Sequence, residues 1–255
     1  MLAAVTAAVG AVIAAAGPAV VAAAGPLLPA LAAATTVAAA TPLLLPIIRL
    51  AGPGALGDVV GRVLDGHPQL IAPVISQLTA MMQPIVTSID LAHKIMAPQN
   101  KGECAARGLA LEVVIDTSGD KHLAFADAAI ALLRSEAARG NFLGGWFSLR
   151  FVGKSRAILS PEVSAMTCTA EFTALRTLSD TRPLLDRLEA TARTSGAIQH
   201  WAMCNNLLPA DVTRAYPRLD TWRRTRWALT NNGTVHTFDN AFTTRVGLSA
   251  PPGTP

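Results

Sequence analysis

Arg150 is the first residue in this chain whose type and position suit chemistry. It lies in the alternating stretch Trp146–Val152 (WFSLRFV), on the polar side together with Ser148. An arginine held on a strand can stabilise an anion or a developing oxyanion, because its guanidinium is always charged and carries several donors. An ordinary solvated strand face has the same pattern, so the sequence leaves both interpretations open.

A second candidate group begins at His200-Trp201 and ends at Asn205-Asn206. A histidine can take or give up a proton near neutral pH, whereas a lone histidine at a strand end more often has a structural role. An arginine-rich stretch follows, and the segment Phe238–Phe242 (FDNAF) lies close to the C-terminus.

Self-contained catalytic motifs are missing from the sequence. It has no phosphate-binding GxxxxGK[ST], no GxGxxG after a strand, no HExxH and no GxSxG. The glycine-rich Gly140–Gly145 falls between a predicted helix and a predicted strand, which favours a turn. Cys104, Cys168 and Cys204 show no CxxC spacing, so we predict no metal site and interpret them as buried thiols in a reducing, cytoplasmic compartment.

Composition narrows the class of protein. Of 255 residues, 51% are hydrophobic and 15% are charged, which excludes a disordered chain, a collagen and a disulfide scaffold. The 21 basic residues barely exceed the 17 acidic ones. This excess is too small to indicate nucleic-acid binding, which needs a clustered basic face.

Residues 1–100 are predicted to form an apolar, Ala- and Pro-rich helical segment. No charged side chain occurs from Met1 to Ile48, and repeated prolines break this run into short helices. A membrane-spanning helix, helices lying on a membrane surface, and helices packed on a protein all stay open, because alanine is nearly neutral in transfer to a membrane.

Residues 101–255 form a second predicted domain with a different pattern. Branched or alternating runs predict strands, and apolar residues at helical spacing predict helices. The order is strand, helix, strand, strand, helix, strand, which predicts an α+β, ferredoxin-like antiparallel sheet with helices on one face. The predicted strands are Leu109–Ile115, Trp146–Val152, Met166–Phe172 and Ala197–Trp201, and the predicted helices are His122–Arg139, Ser179–Thr194, Ala210–Tyr216 and Leu219–Leu229.

Four segments in this order resemble a known family. They are LALEVVI, then GWFSLRF with SRAILSP, then IQHW, and finally FDNAFTTRVGL. Together they are similar to the C-terminal substrate domain of the vanillyl-alcohol-oxidase-type flavoproteins. The nearest branch is that of the D-arabinono-1,4-lactone and alditol oxidases, and type II cholesterol oxidases have a related arrangement. The resemblance covers roughly residues 90–250.

The resemblance implies roles for particular residues. Arg150 matches the arginine of the family's Glu-x-Arg pair and would stabilise the substrate oxygen, while His200 would position the substrate or take its proton. Ser148 stands at the glutamate position, and Met203 stands at the lysine position of a His-Trp-Gly-Lys segment. We therefore expect a bulkier, less polar alcohol. Ser148, Trp201, Met203 and Asn205 would bind substrate, and Asn240 would contact the cofactor.

The implied cofactor is FAD, yet the family's flavin-binding domain has no counterpart in this sequence. The expected function is the substrate-domain part of an FAD-dependent oxidoreductase acting on a CH–OH group of a sugar lactone, alditol or sterol-like alcohol. Either a flavin domain on another polypeptide would complete it, or the chain is the C-terminal piece of a split or truncated oxidase. The alternative is a non-catalytic lipid- or ligand-binding module that contacts a membrane through residues 1–48.

Overall fold

The computed structural model describes residues 108–254, together with Gly61, Leu64–Gly66, Pro68, Ile71, Ala72 and Ile75. The helical segment predicted over residues 1–100 lies outside the described residues except at those positions. Within the described part, no helix is long and apolar enough to cross a membrane.

The described elements follow the predicted order. Strands and helices alternate as β1, α1, β2, β3, α2 and β4, after which three helices, α3 to α5, end the chain. Their bounds are β1 Gly108–Asp116, α1 Lys121–Ala137, β2 Gly145–Gly153, β3 Met166–Leu175, α2 Thr181–Thr194, β4 Ile198–Gln199, α3 Pro209–Ala215, α4 Leu219–Leu229 and α5 Ala241–Arg245.

The four strands form one sheet in the order β2-β3-β1-β4. Strands β1 and β4 are antiparallel, with Val113 opposite Gln199. This element order and strand order define the ferredoxin-like α+β fold that the sequence predicts. Strand β4 has two residues instead of the five predicted, and the short helix α5 was not predicted.

Hydrogen bonds between strands fix the register of the sheet. The Leu175 N–H donates to the Gly144 carbonyl at 3.0 Å, and the Thr117 N–H donates to the Met166 carbonyl at 3.3 Å. The first bond aligns β2 with β3, and the second aligns β3 with β1. Because residues directly opposite each other in an antiparallel pair share a face, these bonds decide which side chains meet.

One face of the sheet carries the apolar core. Phe172 of β3 is fully buried and makes a ring contact with Phe125 of α1 at 6.2 Å. It also stacks on Phe147 of β2, with ring centroids 4.5 Å apart. Alternation along β3 turns Cys168 and Ala170 to the same side, and both are fully buried. The polar side chains for which the sequence predicts a chemical role, Ser148 and Arg150, therefore lie on the opposite face.

A second apolar cluster lies in the C-terminal part. Tyr216 is buried and stacks on Trp201, with ring centroids 5.0 Å apart. Ile198 of β4 and Leu159 of the β2–β3 connection pack against this cluster. Its buried members are Leu207, Val212, Tyr216, Leu219, Val246 and Leu248.

The chain divides into two compact units. One unit comprises residues 110–134, 147–172 and 184–255, and the other comprises residues 1–109, 135–146 and 173–183. In the latter unit, Leu64, Ile71 and Leu178 form a buried apolar cluster. Asp65 accepts hydrogen bonds from the N–H and the hydroxyl of Ser179, at 2.6 and 2.7 Å.

Candidate functional site

Arg150 is held between two glutamates on the polar face of the sheet. Its Nη2 donates to Oε2 of Glu112 at 2.5 Å and to Oε2 of Glu171 at 2.6 Å. Arg150 comes from β2, Glu171 from β3 and Glu112 from β1. Three neighbouring strands thus contribute one charged group each to a single cluster, which we call the Glu–Arg–Glu cluster.

The register explains why the cluster forms. Strand alignment places Glu112 opposite Glu171, and like charges in that position repel. Glu112 is almost fully buried, with 6% of its surface exposed, so its charge needs a partner. The Arg150 guanidinium supplies the compensating charge while its own side chain stays 54% exposed.

Two further predicted residues share this face. Ser148 lies two positions before Arg150 on β2, so alternation puts both side chains on the same side. The His200 N–H donates to the Glu112 carbonyl at 2.9 Å, which continues the β1–β4 register and places His200 opposite Glu112. Ser148, Arg150 and His200 therefore share one face of the sheet, but Ser148 and Arg150 lie on the edge strand β2 whereas His200 follows β4 at the opposite edge.

His200 has a defined ring orientation. Its Nδ1 accepts a hydrogen bond from the Ala202 N–H at 3.3 Å. A neutral ring with Nδ1 as the acceptor carries its proton on Nε2. In this arrangement His200 offers an N–H donor to a ligand, which suits positioning a substrate oxygen better than removing a proton.

The other predicted substrate residues make structural contacts. Trp201 donates from Nε1 to the Leu159 carbonyl at 2.7 Å and belongs to the C-terminal apolar cluster. Asn205 is buried and donates to the Met203 carbonyl at 2.9 Å, while its Oδ1 accepts from Arg245 at 3.1 Å. A substrate-binding role for Trp201, Met203 and Asn205 stays a prediction.

Glu112 and Glu171 are the residues that sequence reasoning missed. Each is the sole charged residue within an otherwise apolar or neutral strand, LALEVVI for Glu112 and MTCTAEF for Glu171. A lone carboxylate inside a buried strand indicates that a positively charged side chain lies nearby, because an unpaired buried charge is costly. The partner's identity depends on strand register, which the sequence does not state.

Thr169 adds a further polar group to this face. The β2–β3 register places it opposite Arg150, and its buried hydroxyl has no hydrogen-bond partner among the described residues. Most buried hydroxyl groups are paired with protein or water. The Thr169 hydroxyl is therefore an exception to this rule within the described part of the chain.

The glycine-rich Gly140–Gly145 does not fit the diphosphate of FAD at its C-terminal end. The segment forms the turn from α1 into β2. A Cβ on Gly144 would collide with the Leu178 side chain, and one on Gly145 would collide with the Thr173 carbonyl. The chain itself therefore fills the space beside Gly144 and Gly145.

Asn240, the predicted cofactor contact, caps helix α5. Its Oδ1 accepts from the Thr243 N–H at 3.0 Å, and the Thr243 hydroxyl accepts from the Asn240 N–H at 2.9 Å. These reciprocal bonds satisfy the helix terminus. A contact between Asn240 and a cofactor stays a prediction.

Comparisons with known proteins add no family assignment. No model of a protein family matches the chain, and no curated protein matches it. Function therefore has to be argued from the polar face of the sheet and from the motifs in the sequence.

Proposed function

We propose that this chain is the substrate-domain part of an FAD-dependent oxidoreductase that acts on a CH–OH group, with the flavin held by a domain on another polypeptide. The single observation that carries the proposal is the Glu–Arg–Glu cluster on the polar face of a ferredoxin-like sheet. The motif order that resembles the lactone and alditol oxidases supports it independently.

The cluster supplies the groups that a hydroxylated substrate needs. Arg150 uses one nitrogen for both carboxylates, and its Nη1 and Nε make no hydrogen bond within the described part of the chain. These N–H groups are placed to donate to a substrate oxygen. The carboxylates of Glu112 and Glu171 are acceptors for neighbouring substrate hydroxyl groups.

The charge of the cluster favours a neutral substrate. The carboxylates of Glu112 and Glu171 lie beside Arg150, and carboxylates repel carboxylate and phosphate substrates. A sugar lactone or an alditol is neutral and carries several hydroxyl groups. Ser148 replaces the family's glutamate, but Glu112 and Glu171 bring carboxylates to the same face, so we propose a polar polyol substrate over a less polar alcohol.

The test is turnover by the chain reconstituted with the FAD-binding domain of a D-arabinono-1,4-lactone oxidase. Arg150→Ala should lower the rate of alditol- or lactone-dependent flavin reduction by roughly tenfold or more, as loss of an oxyanion donor does. Arg224→Ala removes a 74% exposed arginine on α4 and should leave the rate unchanged. Equal rates for the wild type and Arg150→Ala would remove Arg150 from the site.

The alternative function is that of a non-catalytic module, and the reconstituted chain tests this alternative as well. Such a module would bind a lipid or sterol without flavin reduction under any condition. Membrane contact through residues 1–48 belongs to this alternative and concerns residues outside the described part.

A further inference from the structure

The turn after helix α4 runs through three successive residues in the left-handed conformation. Asn231, Asn232 and Gly233 have φ angles of 49°, 55° and 78°. Glycine adopts this conformation freely, and asparagine is one of the few other residues that tolerate it. The Thr234 N–H closes the turn by donating to the Asn231 carbonyl at 3.3 Å. The backbone of the turn therefore favours asparagine and glycine at these positions.

Gly233 is needed at its position for a second reason. A Cβ on this residue would collide with the Trp227 ring, so a larger residue would displace the turn from α4. The fold thus keeps a glycine directly after Asn232. In an asparagine–glycine pair the backbone nitrogen of the glycine can attack the asparagine side chain, because no Cβ on the glycine hinders its approach.

The two groups that would react are both free. Asn232 is exposed, and its side-chain amide makes no hydrogen bond within the described part of the chain. The Gly233 N–H likewise donates to no acceptor among residues 108–254. Bringing the Gly233 nitrogen to Cγ of Asn232 therefore breaks no hydrogen bond of either group.

The other asparagines of residues 108–254 lack this combination, and none of them precedes a glycine. Asn231 is exposed, but the N–H that follows it, that of Asn232, donates to the Trp227 carbonyl at 3.0 Å. The Asn240 side chain caps helix α5. The remaining three have side-chain amides that donate hydrogen bonds, namely Asn141, Asn205 and Asn206.

We propose that Asn232 is a site of spontaneous deamidation in the folded chain. The Gly233 nitrogen gives its proton to solvent base and bonds to Cγ of Asn232. The Cγ–Nδ2 bond then breaks, and ammonia leaves with a proton from water. Water adds to either carbonyl of the resulting cyclic imide and opens the ring, which gives aspartate or isoaspartate. The reaction consumes water and releases ammonia, and no atom is oxidised or reduced.

Both products place a negative charge at the C-terminal end of α4. The Asn232 N–H donates to the Trp227 carbonyl, so position 232 lies beside the last carbonyl groups of this helix. A negative charge there opposes the helix dipole. Isoaspartate also lengthens the main chain by a methylene group next to Gly233, which is packed against Trp227. The modified chain should therefore unfold at a lower urea concentration than the unmodified chain.

The test is incubation of the full chain in a mildly alkaline buffer made with heavy-oxygen water, followed by trypsin digestion and mass spectrometry. The tryptic peptide Trp227–Arg245 contains Asn231, Asn232 and Asn240, so these residues are compared within one peptide. Asn232 should acquire heavy oxygen as aspartate and isoaspartate. Its rate should exceed that of either other asparagine at least about tenfold, because only Asn232 precedes a residue without a Cβ.

Asn232→Gln should stop the reaction at this position, since a glutamine side chain would have to close a larger and less favourable ring. Asn231→Gln is the matched control, because it keeps the Asn232–Gly233 pair and should react as the wild type does. Unchanged far-ultraviolet circular dichroism should show that both variants fold.

Two results would overturn the site. One is a folded wild type in which Asn232 keeps its amide while a synthetic copy of the peptide Trp227–Arg245 reacts. The other is a faster reaction at Asn231 or Asn240 than at Asn232. The deamidated chain, separated by anion exchange, should unfold at a lower urea concentration, and an equal midpoint would overturn the proposed effect on α4.

Discussion

Arg150 has a stabilising role as well as a proposed catalytic one. Its guanidinium lies between Glu112 and Glu171, and Glu112 has only 8% of its side chain exposed. Removing the positive charge takes away the guanidinium that the buried Glu112 contacts and leaves two carboxylates opposite each other. Most of the loss in the free energy of unfolding should come from the buried Glu112, because water screens the exposed half of the arginine.

Arg150→Met should therefore lower the free energy of unfolding by about 1 to 3 kcal/mol. Adding Glu112→Gln and Glu171→Gln to the same chain should recover part of this loss, since the repulsion disappears. Arg224→Met, which breaks an exposed pair with Asp220, should change stability by less than about 1 kcal/mol. Urea unfolding measures all three, and equal effects of Arg150→Met and Arg224→Met would contradict the account.

The environment of Asp239 predicts a measurable dependence of stability on pH. Hydrogen bonds from His236 and Ser249, together with the ion pair to Arg226, hold the pKa of Asp239 at about 2. An aspartate in an unfolded chain has a pKa of about 3.9. The folded state therefore gains stability from the ionised carboxylate above about pH 4 and loses it as the pH falls toward about 2.

Asp239→Asn should consequently be less stable than the wild type at neutral pH, and the difference should shrink from about pH 4 downward. Urea unfolding of both proteins over a series of pH values measures the difference. If the difference in the free energy of unfolding between the wild type and Asp239→Asn stayed constant down to about pH 2, the charge of Asp239 would not stabilise the fold.

At the scale of elements, α4 anchors the C-terminus through one buried arginine. Arg223 is 2% exposed and donates from Nε and Nη2 to the Gly247 carbonyl at 3.2 and 2.9 Å. Its Nη1 donates to the Thr254 carbonyl at 2.5 Å. The charge is thus held by carbonyl oxygens, and these bonds fix the last residues of the chain against the helix.

Arg223→Met should lower the free energy of unfolding by about 2 to 3 kcal/mol, because it leaves the buried Gly247 carbonyl without its donors. Arg224→Met on the same helix is the matched control, with an expected change below about 1 kcal/mol. Proteolysis near the C-terminus should also become faster in Arg223→Met alone. Equal stability of the two variants would mean that the buried contacts of Arg223 do not hold this segment.

Much of the element pattern was predictable from periodicity. The predicted strand Trp146–Val152 is observed as Gly145–Gly153, and the predicted helix Ser179–Thr194 is observed as Thr181–Thr194. The helical spacing of α2 is a strong signal because this helix has a buried face, and β2 keeps a clear apolar–polar alternation although its residues are half-buried or exposed. The five-residue helix α5 was missed, since one turn is too short to produce a periodic pattern.

The candidate site was predictable only in part. Alternation alone put Ser148 and Arg150 on the polar side of their strand. The pairing of Arg150 with Glu112 depends on contacts between residues 38 positions apart, which only the strand register determines. The same holds for the structural contacts of Trp201 and Asn205, because their partners lie in the β2–β3 connection and in α5.

At the scale of the whole molecule, the proposed activity needs a flavin-binding domain in addition to the described sheet. The described residues offer a polar sheet face with the Glu–Arg–Glu cluster, and Gly144 and Gly145 of their glycine-rich segment are closely packed against the chain itself. A chain that provides only the substrate face should be colourless alone and should acquire flavin only as part of a complex.

The most direct test is the visible absorption spectrum of the purified chain, recorded alone, after addition of FAD, and after co-expression with the FAD-binding domain of a D-arabinono-1,4-lactone oxidase. We expect no flavin bands in the first two samples and flavin bands that co-purify with the chain in the third. Flavin bound by the chain alone would contradict the split arrangement. No association with the flavin domain under any condition would contradict the oxidase function itself.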